Sequence, residues 1–419
     1  MKILITNAVA LNAGDAAILK GIIKILQRVF GNDVDITVYD KQKIVKKYYP
    51  ETDFRTLLFF ENPDFLGFNR PARLIRWVNR KRLDIAIKLW AGKLSTIAKL
   101  LLNRAEQDTI KDYDNADLIV STGGTYLTEN YPLGPRILDY ELSLNLKRNL
   151  IFFTQSLGPF KQPKNREALT SIFERAALIF LRDEQSLHHL KDLSIKNPNV
   201  YVTSDAAFAL ADPQKLEAAI GDVKHLSHPK VAISVRDWQY FKTVDATVGK
   251  GRYLTSIGEL TTHLVREYSA NVTFISTCQG IPEYHLDDSD TALEIFSQLS
   301  DDVKESVVVN TKFHSPENLS KLVQAFDFVI ATRLHMAILS LGSGVPVFPI
   351  AYEFKTQELF GRLNQQHWVI DIEEIESEKL IAKVDNFMQA IPTFRRELFS
   401  GVLQEYNEVF RSAELLKNI

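Results

Sequence analysis

AFDFVIATRLHMAILSLGSGVPVFPIAYEFK, residues 325–355, parses as strand, turn, helix and second strand. Phe328 to Ala331 form a short β-rich apolar run of the kind buried in a parallel sheet. Thr332 is placed to cap a helix, Met336 to Leu341 supply its apolar body, and Gly342 and Gly344 stop it. Val345 to Ile350 make the next strand, entered through Pro346. Arg333 and His335 fall where the first strand turns into the helix, and Lys355 follows the second strand. Three potential cations at strand C-termini, beside a helix N-terminus with free N–H groups, suit an anion. The plainer reading makes Arg333 a cap for a neighbouring helix and His335 a satisfied core histidine. On this stretch alone both stay open.

The same alternation runs outward in both directions. Ile3 to Thr6, Val34 to Tyr39, Asp117 to Ser121, Leu150 to Thr154, Leu178 to Leu181 and Val200 to Thr203 read as strands separated by helical patterns. Asp15 can cap a helix whose core face carries Ile18, Ile22, Ile25, Leu26 and Val29. Asp183 can cap another. Val231 to Val235, Asn271 to Thr277 and Val307 to Val309 continue the pattern beyond a polar stretch, and helices follow from Leu380 onward. Strand–helix alternation predicts α/β domains with parallel sheets. With 419 residues two such domains are expected. The predicted division is 1–212, a linker at 213–229 that carries one short helix among Pro213, Gly221, His225 and His228, a second domain at 230–395 and a C-terminal helix at 396–419 that returns to the first domain. Arg182, Arg236, Arg333, His335 and Lys355 each stand at or just past a predicted strand end, which is where open α/β sheets hold ligands.

Composition narrows the function classes. Hydrophobic residues at 45% and charged residues at 24% describe an ordinary globular chain. A net charge of −2 gives no reason to expect nucleic acid. The single cysteine, Cys278, forbids an intrachain disulfide and fits a reducing cytoplasm, and nothing around it has a metal-ligand spacing. The opening MKILITNAVALNAGD reads as a first strand rather than a signal peptide, and no run reaches the ~20 apolar residues of a membrane span.

R-L-H-x-A-I at Arg333 to Ile338, G-V-P at Gly344 to Pro346 and Y-x-x-K at Tyr352 to Lys355 together resemble the polysaccharide pyruvyl transferase family. N-A-G-D at Asn12 to Asp15, D-L-I-V-S-T-G-G at Asp117 to Gly124, and Q-S-L-G-P at Gln155 to Pro159 extend the resemblance. So do R-D-E-Q-S at Arg182 to Ser186 and S-D-A-A-F at Ser204 to Phe208; only 41–104 is poorly covered. The resemblance implies two Rossmann-like domains in a GT-B-like arrangement with a central crevice, the first on the acceptor side and the second on the phosphoenolpyruvate side. It implies a transferase that sets the enolpyruvyl unit of phosphoenolpyruvate on a sugar of a cell-surface polysaccharide, or its lipid-linked precursor, as a ketal. Phosphate is released, and phosphoenolpyruvate is a co-substrate with no other cofactor and no metal.

That chemistry distributes the parts. Histidine, with an unperturbed pKa of ~6.5, suits proton delivery near neutrality, so His335 is the expected acid for the methylene carbon. Arg333, Lys355, Arg182 and Arg236 are expected to hold the phosphate and carboxylate. Asp15 is either the base for the acceptor hydroxyl or only a helix cap. Asn12, Gly14, Gly123 and Gly124 are the expected acceptor contacts, because glycine lets backbone approach a ligand. Two alternatives remain: a glycosyltransferase of the same architecture using a nucleotide sugar, and a non-catalytic member of a polysaccharide assembly complex.

Between Phe65 and Arg104 stand ten basic residues and one acid, Asp84, a local charge of +9. They are Arg70, Arg73, Arg76, Arg80, Lys81, Arg82, Lys88, Lys93, Lys99 and Arg104, interleaved with Phe65, Phe68, Trp77 and Trp90. Cationic helices with aromatic anchors suit a membrane interface. A sugar acceptor on a polyprenyl lipid would be met at the cytoplasmic leaflet, so peripheral contact of a cytoplasmic protein is expected there. The plainer alternative is an insert that packs on the first domain.

Overall fold

The computed structural model describes residues 1–58, 70–221, 226–284 and 286–419, with the backbone alone at 70–73 and 76. Phe65, Phe68 and His225, and the side chains of Arg70, Arg73 and Arg76, lie outside the described residues. The chain divides into two compact units. One comprises Met1–Val9, Ile22–Ala206 and Ser412–Ile419; the other comprises Ala10–Gly21 and Ala207–Arg411.

The first unit is built on a parallel sheet of eight described strands: β1 (Lys2–Ala8), β2 (Asp35–Asp40), β3 (Asp53–Thr56), β4 (Leu118–Ser121), β5 (Gly124–Leu127), β6 (Asn149–Leu157), β7 (Leu178–Leu181) and β8 (Val200–Val202). Its order is β3-β2-β1-β4-β6-β7-β8, with β5 on β6. Central strands such as β4 and β7 are buried throughout, as sheets covered on both faces require. Phe152 stacks edge-on against Tyr140 and Phe173, at 4.9 and 5.2 Å, and so binds the sheet to two of its helices. The end of β1 is tied down by one buried carboxylate. Asp139 accepts from Thr6 Oγ1 at 2.6 Å, Tyr113 OH at 2.5 Å and Asn7 Nδ2 at 3.1 Å. Burial pushes its pKa up to about 6 although all three donors favour the ionised form. Asn7 is held there at φ 62°.

The basic segment is helical. The helices Arg70–Ala91 and Ser95–Leu100 precede a third, Arg104–Asn115. One face of the first packs inward: Ala86 and Ile87 are buried, Trp90 Nε1 donates to Asp114 at 3.1 Å, and Arg82 makes two bonds to Glu106 at 2.5 and 2.8 Å. Trp90 and Arg82, expected at a membrane, are thus used inside the protein. The opposite face exposes Leu74, Trp77, Val78 and Ile85 at helical spacing, and Leu94, Ile97 and Leu100 extend the exposed set. The plainer reading therefore holds for the inward face, and the opposite face is exposed.

The second unit carries a parallel sheet of β9 (Lys230–Ser234), β10 (Asn271–Phe274), β11 (Val307–Val309), β12 (Phe328–Ala331), β13 (Val347–Ala351) and β14 (Ile370–Asp371). Its order, β11-β10-β9-β12-β13-β14, is that of a dinucleotide-fold sheet, with the topological switch between β9 and β12. The expected linker belongs to this unit. Pro213–Gly221 is a helix with Leu216 and Ala219 buried, and Gly344, at φ +81°, lies so near that a Cβ would sit 3.2 Å from Ala219 Cβ. Its polar residues simply face away. The chain ends in a 37-residue helix, Ser377–Ala413, and Ser412–Ile419 returns to the first unit. Among the described residues no helix is long and apolar enough to cross a membrane.

Candidate active site

The deciding stretch folds as read, with small shifts. β12 is followed by the helix Leu334–Gly342, all of it buried except His335. Thr332 does not cap it; its Oγ1 pairs with Tyr253 OH at 2.8 Å, and Arg333 occupies the cap position without a side-chain bond to the helix end. Because β9, β12 and β13 are adjacent and parallel, Arg236, Arg333 and Lys355 emerge from one edge of one sheet.

The three cations are held differently. Arg236 lies 4.3 Å from the Tyr352 ring centroid and 4.9 Å from that of Trp238, and it forms no ion pair among the described residues. Stacking on two aromatic faces fixes the guanidinium plane and leaves its N–H edge available. Arg333 is buried and grips Asp288 through Nε at 2.8 Å and Nη2 at 2.5 Å. Burial alone would lower the Arg333 pKa, but the facing carboxylate overrides it and raises it. Lys355 pairs with Glu353 at 2.5 Å.

His335 is half-buried against the chain's own N-terminal segment. A Cβ on Gly14 would lie 2.9 Å from His335 Nδ1 and 3.0 Å from its Cβ, so the glycine makes room for the imidazole. Asn12 Oδ1 accepts from Gly14 N at 2.8 Å, and Ala13 N donates to Thr277 O at 2.9 Å, which anchors this segment beyond β10. Asn12, Gly14 and Asp15 therefore belong to the second unit, not to the first as their place in the chain suggests. Asp15 sits inside the first turn of the helix Ala13–Phe30 rather than at its cap. Its charge reaches Cys278, whose buried thiol is pushed up to about 12, chiefly by burial and further by Asp288, Asp15 and Asp287, against the lowering effect of Arg333.

Arg182, Gly123 and Gly124 stand in the first unit. The Arg182 guanidinium is buried; it donates through Nε to Ser156 Oγ and through Nη2 to Thr125 Oγ1, both at 2.8 Å, and pairs with Asp205. Asp183 caps its helix as expected, accepting from Ser186 N at 2.7 Å, while Leu157 N donates to Ser186 Oγ at 2.9 Å. The blocks Gln155–Pro159, Arg182–Ser186 and Ser204–Phe208 are thus one interlocked set. Gly124, at φ 134°, opens β5. Two residues escaped the sequence reading. Trp238 carried no motif, and Asp288 lies in the acidic run Asp287, Asp288, Asp290, whose sequence reads as a loop.

Comparison with known proteins places this geometry. The fold is similar to a putative UDP-N-acetylglucosamine 2-epimerase from Listeria monocytogenes, at 10% identity and a TM-score of 0.58 over 99% of this chain and 94% of that one. It is also similar to HepE of Anabaena solved with UDP-glucose, at 13% identity and a TM-score of 0.57 over the whole of both chains. These likenesses show a GT-B-like α/β fold. In sequence, the chain is 27% identical to the amylovoran biosynthesis protein AmsJ of Erwinia amylovora, over 100% of both. The family model for polysaccharide pyruvyl transferase matches residues 12–353, which spans both the Asn12–Asp15 segment and the Arg333–His335 turn, and the chain belongs to that family.

Proposed function

We propose that the protein transfers the enolpyruvyl unit of phosphoenolpyruvate onto two hydroxyls of a sugar in polysaccharide biosynthesis, forming a ketal and releasing phosphate. One observation carries this reading: Arg236, Arg333 and Lys355 follow three adjacent parallel strands of one unit that also holds His335. A ligand bearing both a phosphate and a carboxylate needs such a set. His335 protonates the methylene carbon; the first sugar hydroxyl adds at the adjacent carbon, giving its proton to Asp15. Phosphate leaves against the cations, and the second hydroxyl closes the ketal with loss of its proton. Gly123 and Gly124 are assigned to the acceptor, and Arg182 to the anionic groups. Asn12 and Gly14 seat His335. The test is phosphate release from phosphoenolpyruvate on adding candidate glycans, with a nucleotide sugar as control donor. Glycan-dependent release is expected; transfer from the nucleotide sugar alone would replace this reading with glycosyl transfer.

The acceptor is assigned to a polyprenyl carrier at the cytoplasmic leaflet, supported by the exposed face of Leu74, Trp77, Val78, Ile85 and Leu100 among Lys81, Lys88, Lys93 and Lys99. Each basic residue near anionic lipid contributes ~1 kcal/mol. Co-sedimentation with phosphatidylglycerol vesicles should exceed that with phosphatidylcholine and fall with salt. Trp77→Glu with Leu100→Glu should abolish it. Equal recovery on both lipids would leave the face without a membrane role.

A further inference from the structure

Asp288 sits at the first position of the helix Asp288–Gln298, and its placement is over-determined. Its N–H donates to Cys278 O at 2.7 Å. The preceding Asp287 accepts from Gly280 N and Ser289 N, both at 2.9 Å. The Asp288 carboxylate accepts from Ser276 Oγ at 2.6 Å, and that hydroxyl lies 3.0 Å from Ser234 Oγ, at the end of β9. The carboxylate is thereby fixed from the β9 and β10 side of the switch point and takes only the Nε and Nη2 edge of Arg333. Nη1 makes no hydrogen bond among the described residues.

We propose that Asp288 is a positioning residue that serves Arg333 as a built-in counter-anion: it presents the Nη1 edge to the phosphate of the ligand and cancels enough charge for product phosphate to leave. The inference rests on the anion site assigned above. A buried arginine without a counter-charge is a strong trap for a phosphate dianion, because a carboxylate's worth of charge is missing in a low dielectric. An enzyme releasing phosphate at every turnover needs that affinity held down. With Asp288 in place, phosphate meets a neutral pair through one free edge, while Arg236 supplies net charge.

Inorganic phosphate binding, measured by calorimetry on the full chain, tests this without turnover. Asp288→Asn is expected to bind phosphate ~10-fold more tightly than wild type, with steeper salt dependence. Its melting temperature should rise more on adding phosphate, and product inhibition by phosphate should deepen in parallel. A role confined to supporting the fold would move none of these in that direction. Wild-type phosphate binding that is lost in Arg236→Gln but unchanged in Asp288→Asn refutes the counter-anion role and leaves the anion site standing. Phosphate binding to neither wild type nor variant refutes both. Should Asp288→Asn not fold, Asp288→Ser is the second variant. Failure of both to fold even in phosphate buffer also overturns the proposal, since an external anion must substitute for the carboxylate.

Discussion

Replacing His335 by asparagine is expected to lower turnover by ~10²-fold or more while phosphoenolpyruvate binding changes only a few-fold. Asparagine keeps a polar group in the space that Gly14 leaves open, but it cannot carry a proton to carbon. The cations at the ends of β9, β12 and β13 are untouched, so the donor should still bind. Gly14→Ala reaches the same result without touching the imidazole's chemistry. Its new Cβ overlaps Nδ1 at 2.9 Å, and the ring must swing out of line; a misplacement of ~1 Å costs about as much as removing the group. Single-turnover phosphate release and equilibrium binding of phosphoenolpyruvate separate the two quantities. Near-normal turnover in His335→Asn would move the acid elsewhere.

Arg333→Met should cost about 3–5 kcal/mol of stability, because it leaves Asp288 buried and charged with, among the described residues, only the Ser276 side chain for a partner. The double variant Arg333→Met/Asp288→Leu should recover most of that loss, since a well-packed apolar pair often replaces a buried ion pair at little cost. It should recover no turnover. Urea denaturation and phosphate release measured on the same preparations give the comparison. A double variant that stays as unstable as the single one would mean that the pair is not the unit that matters. One that regains activity would remove Arg333 from the chemistry.

What the chain disclosed depended on the range of each interaction. The strands were legible because burial on both faces demands continuous apolar runs, as in Phe328–Ala331 and Leu178–Leu181. The cations followed, since a residue just past a strand is placed by its immediate neighbours. Asp288 was not legible: it meets Arg333 across 45 residues, and nothing in D-D-S-D separates the carboxylate that pairs with Arg333 from those of Asp287 and Asp290. The short helix expected in the linker is present as Pro213–Gly221, but its membership of the second unit was not legible, because two buried positions among polar ones read as a connection. Asp15 was misplaced by a few residues of helix start, the least reliable part of any pattern. Its cluster-mate His335 was found, but the partner that seats it, Gly14, was read as making space for substrate.

The chain enters the second unit at Ala10, leaves it at Gly21, and returns to the first unit at Ser412. During synthesis, therefore, neither unit can be completed from a contiguous stretch of nascent chain. The glycine that seats His335 leaves the ribosome more than three hundred residues ahead of it, and the first unit still waits for the final eight. Such sequence-distant closure slows folding and leaves apolar strands unpaired for longer. A gene split near residue 206 would not yield two working halves. Its second product would lack the Asn12–Asp15 turn, and the missing piece would have to be supplied as part of the first.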